Sequence, residues 1–180
     1  MIFSRTPLEG SALIIDIEQH EDSRGFFART VCRNEFNTHN LNSDFTQQSI
    51  SFNPKVGTVR GMHWQTAPYA EDKLVRATRG AIFDVIVDIR PDSKTYRQWH
   101  AAELSERNRR QIYIPKGFAH GFQTLEPDTE VLYEMTTSFQ PEASRGFIWN
   151  DPAINIEWPK TADRIIGVRD SELPRFTGPE

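Results

Sequence analysis

Residues 58–65 of this 180-residue chain read Thr58-Val59-Arg60-Gly61-Met62-His63-Trp64-Gln65, a run typical of a β-strand. Side chains alternate between the two faces of a strand, so Arg60 and His63 should point in opposite directions if the strand is regular. Gly61 lies between them, and a glycine inside a strand often marks a bulge or bend. The stretch therefore predicts a strand that bends at Gly61 and turns both side chains toward one pocket. The competing interpretation is a packed, hydrogen-bonded core histidine.

Working outward, short strand-like segments separated by turn signals fill most of the chain. They are residues 12–17, 25–27, 45–52, 58–65, 73–78, 81–89, 97–103, 110–114, 118–125 and 129–138. One polar segment, residues 34–40, suggests a short helix. Many short strands with almost no helical period predict an all-β sandwich or barrel. We find no repeat or linker, and we expect one domain over residues 1–180, with a core at about 10–160 and a loose tail at 173–180.

The composition limits the kinds of partner. The formal net charge is -4, which gives no general signature for binding nucleic acid or an anionic membrane. Cys32 is the only cysteine, so an internal disulfide and a cysteine metal cage are excluded. The first residues do not resemble a secretion signal, and no apolar run approaches the ~20 residues needed to cross a bilayer. We therefore expect a cytoplasmic protein.

A second motif surrounds His120, in the run Pro115-Lys116-Gly117-Phe118-Ala119-His120-Gly121. This Pro-x-Gly-x-x-His arrangement resembles the second motif of the cupin superfamily, whose members often bind a metal. The metal-binding form of the first cupin motif has His-x-His, whereas this chain has His63-Trp64-Gln65. Two histidines without a third reliable ligand make a poor metal site. We expect no metal and no cofactor, which leaves both imidazoles available for proton transfer.

Seven further runs accompany the two motifs: DSRGFF (22–27), KLVR (73–76), RGAIFDV (79–85), EVLY (130–133), WNDP (149–152), EWP (157–159) and RD (169–170). In order and spacing these runs resemble the dTDP-4-dehydrorhamnose 3,5-epimerase family, which acts on nucleotide-linked 4-keto-6-deoxy sugars. The resemblance covers almost the whole chain. It implies a cupin-type jelly-roll β-barrel or sandwich with a few short helices.

The resemblance also implies roles for individual residues. His63 would be the base that removes a proton beside the ketone, and Asp170 would orient its imidazole. Lys73 would stabilise the enolate oxygen, and Tyr133 would return a proton from the opposite face. His120 and Asp84 would line the same cavity. The expected contacts of the nucleotide and diphosphate are Arg24, Arg60, Arg169, Gln47, Gln48 and Ser49.

Three positions depart from the pattern we associate with rhamnose-pathway members. Arg29 and Ser144 each stand where a glutamate is usual. Phe139 replaces a tyrosine that stacks on thymine, and phenylalanine keeps the stacking face. All three belong to the expected substrate site, so a different nucleotide or sugar becomes an alternative.

The resemblance thus implies a cofactor-independent 3,5-epimerase of a dTDP-4-keto-6-deoxyhexose. The resemblance implies a homodimer that exchanges an N-terminal strand, with residues 45–52 or the first strand as contributor. The alternatives are a 3- or 5-monoepimerase, perhaps on another nucleotide sugar such as a CDP-linked one, and a non-catalytic cupin that only binds the sugar nucleotide. A metallo-cupin oxygenase is a more distant alternative.

Overall fold

The structure, a computed structural model, describes residues 1–179, and within that range it contains fourteen strands and two short helices. The strands are β1 (Ile2–Arg5), β2 (Leu13–Asp16), β3 (Gln19–Asp22), β4 (Gly25–Ala28), β5 (Gln47–Asn53), β6 (Thr58–Gln65), β7 (Lys73–Arg79), β8 (Ala81–Asp88), β9 (Trp99–Ser105), β10 (Gln111–Ile114), β11 (Phe118–Thr124), β12 (Thr129–Met135), β13 (Ser144–Gly146) and β14 (Ile165–Ile166). The helices are α1 (Arg33–Thr38) and α2 (Val168–Ser171), and a 3-10 turn spans Pro141–Ala143.

Two open sheets contain most of the strands. Sheet 1 has the order β1-β2-β10-β7-β12-β5, and sheet 2 has the order β13-β6-β11-β8-β9, with β14 added in parallel beside β6. Strands β3 and β4 form a separate two-stranded hairpin. The predicted all-β architecture is confirmed, in the form of a sandwich.

A core of branched aliphatic and aromatic side chains joins the inner faces of the two sheets. Val75 and Val131 of sheet 1 pack with Ile82, Ile86 and Phe122 of sheet 2, and all five are fully buried. The alternation of these positions along their strands is the reason that one face of each sheet is apolar. Toward one end of the sandwich the inward side chains become polar, and a cavity replaces the core.

The outer faces of the sheets are covered by the less regular parts of the chain. Phe36 of α1 packs on sheet 1, and the segment after β13 packs on sheet 2. The prediction of a loose tail after residue 172 is wrong in one respect. Residues 173–179 have no regular secondary structure, but Phe176 is buried against Trp64 and Phe147. Burial of one large aromatic side chain is enough to hold such a segment in place.

The predicted bend in β6 is present at Gly61. Its φ is +121°, and the register with β11 shifts there, because His63 pairs with His120 whereas Arg60 pairs with Phe122. Gly61 and Met62 of β6 therefore stand opposite the single residue Gly121 of β11, which is the definition of a β-bulge. The bulge reverses the alternation, and both Arg60 and His63 line one cavity.

Replacing Gly61 with alanine should destabilise the protein strongly. A Cβ at this position would lie 2.6 Å from the Cα of Gly121 and 2.8 Å from the carbonyl oxygen of His120, both of which are backbone atoms that cannot turn away. Backbone strain of about 1–3 kcal/mol would add to an overpacking cost of about 1–3 kcal/mol. The decrease in the free energy of unfolding is measured by urea unfolding. Gly167→Ala is the control, because no atom lies within 4 Å of the added Cβ; equal stability of the two variants would contradict the account of the bulge.

Candidate active site

A cavity of about 770 Å³ opens between the two sheets at the polar end of the sandwich. Both walls contribute polar side chains, and most of the residues expected to act on a substrate are among them. Those residues are Arg60, His63, Lys73, His120, Tyr133, Phe139, Ser144, Arg169 and Asp170.

His63 and Asp170 form a close pair at the floor of the cavity. The Nε2 atom of His63 lies 2.7 Å from Oδ1 of Asp170, and the other carboxylate oxygen accepts the backbone N–H of Gly61 at 3.0 Å. Burial raises the pKa of Asp170, but the hydrogen bonds from His63 and Gly61 outweigh it, and the net pKa is lowered. The carboxylate therefore stays ionised at neutral pH and fixes the imidazole in one orientation, although 107 residues separate the two side chains in sequence.

Tyr133 faces this pair from the opposite sheet. Its ring packs at the edge of the inner core and meets the His120 ring edge-on, with centroids 5.9 Å apart. Burial raises the pKa of the Tyr133 hydroxyl, the nearby charge of Asp84 raises it further, and Arg60 opposes both. The phenol is consequently protonated throughout the physiological pH range.

His120 forms a second histidine–carboxylate pair, deeper in sheet 2. Its Nε2 atom lies 2.7 Å from Oδ2 of Asp84, and both side chains are almost completely buried. The other oxygen, Oδ1 of Asp84, has no hydrogen-bond partner within the described residues. The two pairs lie side by side, because His63 and His120 are direct partners across β6 and β11.

Lys73 projects from β7 into the same cavity. Its Nζ atom lies 3.1 Å from Oε1 of Glu71, and both side chains are nearly excluded from solvent. Gln65, the residue in place of a possible metal ligand, donates from Nε2 to the other oxygen of Glu71 at 2.9 Å. A cation is thus held in the wall of the cavity by an ion pair with a carboxylate that Gln65 hydrogen-bonds.

The mouth of the cavity is rich in cations. Lys55, Arg60 and Arg169 line it, and the Nε of Arg60 donates to Oδ1 of Asn53 at 2.8 Å. Arg169 donates to the hydroxyl oxygen of Ser144 at 2.9 Å. Within residues 1–179, these three cations form no salt bridge. The mouth can therefore attract an anionic group.

Five residues expected at the substrate site lie elsewhere in the single chain. Arg24 is paired with Asp22 at the exposed turn of the β3–β4 hairpin, and Arg29 is paired with Glu35 at 2.9 Å. Gln48 lies on the outward face of β5, hydrogen-bonded to Glu134. Gln47 and Ser49 lie on the inward face of β5 but do not line the cavity.

Gln47 nevertheless supports the cavity indirectly, because its Oε1 atom accepts the backbone N–H of Phe139 at 2.9 Å. This bond holds the segment that presents Phe139, an aromatic side chain 48 % exposed, at the cavity. An exposed aromatic ring beside a cationic mouth is suited to stacking on a planar base.

Several cavity residues were not singled out from the sequence: Ser51, Asn53, Lys55 and Glu71. Ser51 and Asn53 could have been found by extending the alternation of β5 past residue 49. No sequence signal distinguished Lys55 or Glu71 from ordinary surface charges.

Within residues 1–179, no group of three or more His, Cys, Asp or Glu side chains is arranged to hold a metal ion. In each of the two cavity histidines, Nε2 lies within hydrogen-bonding distance of a carboxylate oxygen instead. In the same part of the chain, no helix combines the length and the apolar character required to span a membrane.

Comparison with known proteins agrees with this geometry. A sequence model of the dTDP-4-dehydrorhamnose 3,5-epimerase family matches residues 5–178. The dTDP-4-dehydrorhamnose 3,5-epimerase of Sinorhizobium fredii is 44% identical over 153 residues, which are 85% of this chain and 78% of the relative. The crystal structure of the Bacillus anthracis enzyme, with TDP and PPi bound, has 39% identity and a TM-score of 0.88, covering 92% of this chain and 94% of that one. The Legionella pneumophila enzyme, in complex with dTDP-4-keto-L-rhamnose, has 32% identity and a TM-score of 0.89, covering 98% and 99%.

Taken with these likenesses, the open β-sandwich and its polar cavity define a cupin-fold isomerase, and the cupin expectation is confirmed. The chain belongs to the dTDP-4-dehydrorhamnose 3,5-epimerase family.

Proposed function

We propose that this protein inverts carbons 3 and 5 of a dTDP-4-keto-6-deoxyhexose. The observation that carries the proposal is the placement of the His63–Asp170 pair on sheet 2 and of Tyr133 on sheet 1, so that a base and an acid face each other across one cavity. An inversion requires a proton to leave one face of a carbon and another to arrive on the opposite face.

In the first step, the neutral imidazole of His63 removes a proton from the carbon beside the C4 ketone. The C–H bond electrons move into the ring, and the ketone oxygen becomes an enolate oxygen. Asp170 stabilises the imidazolium that forms, as the carboxylate does in other histidine–carboxylate pairs. The Lys73 ammonium stabilises the negative charge on oxygen, because a fixed cation in a partly dry site interacts strongly with developing charge.

In the second step, Tyr133 donates its hydroxyl proton to the opposite face of the same carbon. The enolate electrons return to form the new C–H bond, and the ketone is restored. The raised pKa keeps the phenol protonated and ready to donate at neutral pH. The phenolate and the imidazolium then exchange protons with water, and the site returns to its starting state.

The cationic mouth supports a diphosphate-linked substrate. Arg60, Arg169 and Lys55 provide charge for the diphosphate, and Phe139 provides a ring for the base. The Bacillus anthracis relative was crystallised with TDP and PPi, and the Legionella pneumophila relative with dTDP-4-keto-L-rhamnose. We propose that this chain binds the same class of ligand. Ser144, rather than a carboxylate, lies beside Arg169 at the mouth.

A homodimer completes the proposal. Strand β5 is the edge of sheet 1, and its outward side chains Ile50 and Phe52 are 62% and 50% exposed. Arg24 and Arg29 lie outside their own cavity, so they would reach a substrate only across a subunit interface. In the single chain β1 pairs with β2, and strand exchange remains a prediction, as does the cytoplasmic location. Sedimentation velocity tests the dimer.

Solvent exchange tests the reaction. Incubation with dTDP-4-keto-6-deoxyglucose in deuterium oxide should place label at both carbon 3 and carbon 5. Label at one carbon would instead establish a monoepimerase. Binding without any label would establish a non-catalytic sugar-nucleotide protein, and turnover only of the CDP-linked sugar would reassign the nucleotide.

A further inference from the structure

The ion pair between Glu71 and Lys73 is unusual for its burial. Their side chains are only 7% and 12% exposed, and Nζ of Lys73 lies 3.1 Å from Oε1 of Glu71. Removing two charges from water costs several kcal/mol for each ion. The attraction between the ions offsets this cost only if the geometry is good and the remaining hydrogen-bonding groups are satisfied. A buried ion pair is therefore weak evidence for a stabilising role, and its position in the cavity wall points to a functional one.

The carboxylate of Glu71 has a fixed orientation. Its second oxygen accepts a hydrogen bond from Nε2 of Gln65 at 2.9 Å. Gln65 is itself immobilised, since its Nε2 also donates to the carbonyl of Tyr69 at 3.0 Å and its Oε1 accepts the backbone N–H of Gln140 at 2.6 Å. Strand β6, which carries His63, therefore fixes the position of Glu71 through Gln65.

Lysine has a long, flexible side chain with three N–H donors on its ammonium group. The Nζ atom of Lys73 lies 3.1 Å from Oε1 of Glu71, and its N–H donors can also point into the cavity, which both residues line. The ion pair with Glu71 restricts the rotamers of Lys73 before substrate binds, so less side-chain entropy is lost when the substrate arrives. Misplacement of a reacting or stabilising group by 1 Å can cost about 10²-fold in rate.

We propose that Glu71 is a positioning residue, which holds the Lys73 ammonium at the point where the enolate oxygen of the sugar develops its charge. The inference rests on the role of Lys73 in the proposed function. Glu71 acts through the reach of its side-chain oxygen, and its contribution appears in the chemical step rather than in binding of the nucleotide.

A pair of conservative variants separates reach from charge. Glu71→Gln keeps an oxygen at the same distance from Lys73, although its amide nitrogen replaces the acceptor of the Gln65 N–H, and kcat should stay within about 5-fold of the unmodified enzyme. Glu71→Asp keeps the charge but withdraws the oxygens by one methylene, and kcat for turnover and for deuterium exchange should fall about 10-fold or more. In both variants, KM and the Kd for dTDP should change less than about 3-fold. The opposite order of the two kcat values would overturn the proposal.

A double-mutant cycle identifies the residue through which Glu71 acts. Lys73→Met should lower kcat by about 10²–10³-fold, the typical effect of removing one group that stabilises an oxyanion. Adding Glu71→Leu to Lys73→Met should lower kcat by less than a further 3-fold, although Glu71→Leu alone should lower it 10-fold or more. Replacing both members of the pair with apolar groups leaves no unpaired buried charge, so the double variant should fold.

Additive losses in the cycle would show that Glu71 does not act through Lys73 and would overturn the inference while leaving the epimerase reaction intact. An unimpaired Lys73→Met would overturn the role of Lys73 itself, and with it this inference. Asp16→Ala is the matched control, because it breaks the Asp16–Arg110 ion pair (3.0 Å) outside the cavity and should leave kcat unchanged.

Discussion

His63→Ala should lower the rate of deuterium exchange into the sugar by about 10²–10⁴-fold, the range that general-base catalysis supplies. The reason is that the proposed mechanism makes His63 the base, and the structure holds its imidazole 2.7 Å from the ionised carboxylate of Asp170. His120, the neighbouring imidazole, is paired with Asp84 in the same way, but its side chain is only 5% exposed, against 34% for His63, so it is less accessible to a substrate. Exchange is measured by mass spectrometry after incubation in deuterium oxide, before any product accumulates.

The same variant should keep its affinity for dTDP within about 3-fold, because the cations of the mouth and Phe139 are untouched. His39→Ala is the matched control, since His39 stacks on Phe3 outside the cavity and should exchange at the normal rate. A His63→Ala enzyme that still exchanged at a comparable rate would show that another group is the base.

The most informative part of the sequence was the local conflict within β6. Alternation placed Arg60 and His63 on opposite faces, and only a bulge at Gly61 could bring them together; the structure has that bulge. Local patterns of this kind can be predicted because the geometry of a strand allows few alternatives. The predicted positions of the inner strands were close to the observed ones for the same reason.

Other features depend on contacts distant in sequence. Strand β1 was not predicted, because it is an edge strand with mostly exposed side chains and no regular apolar alternation. Asp170 lies on a one-turn helix, and nothing local indicates that it meets His63; only the family resemblance suggested the pair. The buried partner of Lys73 was not foreseen either, since Glu71 looks like an ordinary surface acid in a loop.

Two of the three departures from the family pattern, Arg29 and Ser144, have identifiable partners in the structure. Arg29, in place of a glutamate, pairs at 2.9 Å with Glu35, whose other oxygen pairs with the N-terminal amine. Ser144 accepts a hydrogen bond from Arg169 and leaves that guanidinium without a carboxylate partner in residues 1–179. The sequence shows these substitutions but not their partners, because the effect of a changed charge depends on the residues that surround it in space.

Tyr133→Phe should lower the rate of product formation by about 10²-fold or more while lowering deuterium exchange at the first carbon much less. The variant removes only the hydroxyl, and the ring that packs on the inner core remains. Proton removal by His63 and stabilisation of the enolate do not need the phenol, so the enolate should form and return to substrate with solvent deuterium on its original face. Exchange and epimerisation are measured in one sample, by mass spectrometry and by NMR of the sugar.

Tyr113→Phe is the matched control for the loss of a buried hydroxyl. The Tyr113 hydroxyl donates to the carbonyl of Asn42 at 3.2 Å and accepts its N–H at 3.1 Å, on the outer side of sheet 1. Its removal should cost about 0.5–1.5 kcal/mol of stability, because part-buried hydrogen bonds to the backbone of Asn42 are lost, yet leave both rates unchanged. If Tyr133→Phe instead reduced exchange and product formation by the same factor, proton donation from the second sheet would not be a separate step, and the two-face mechanism would have to be abandoned.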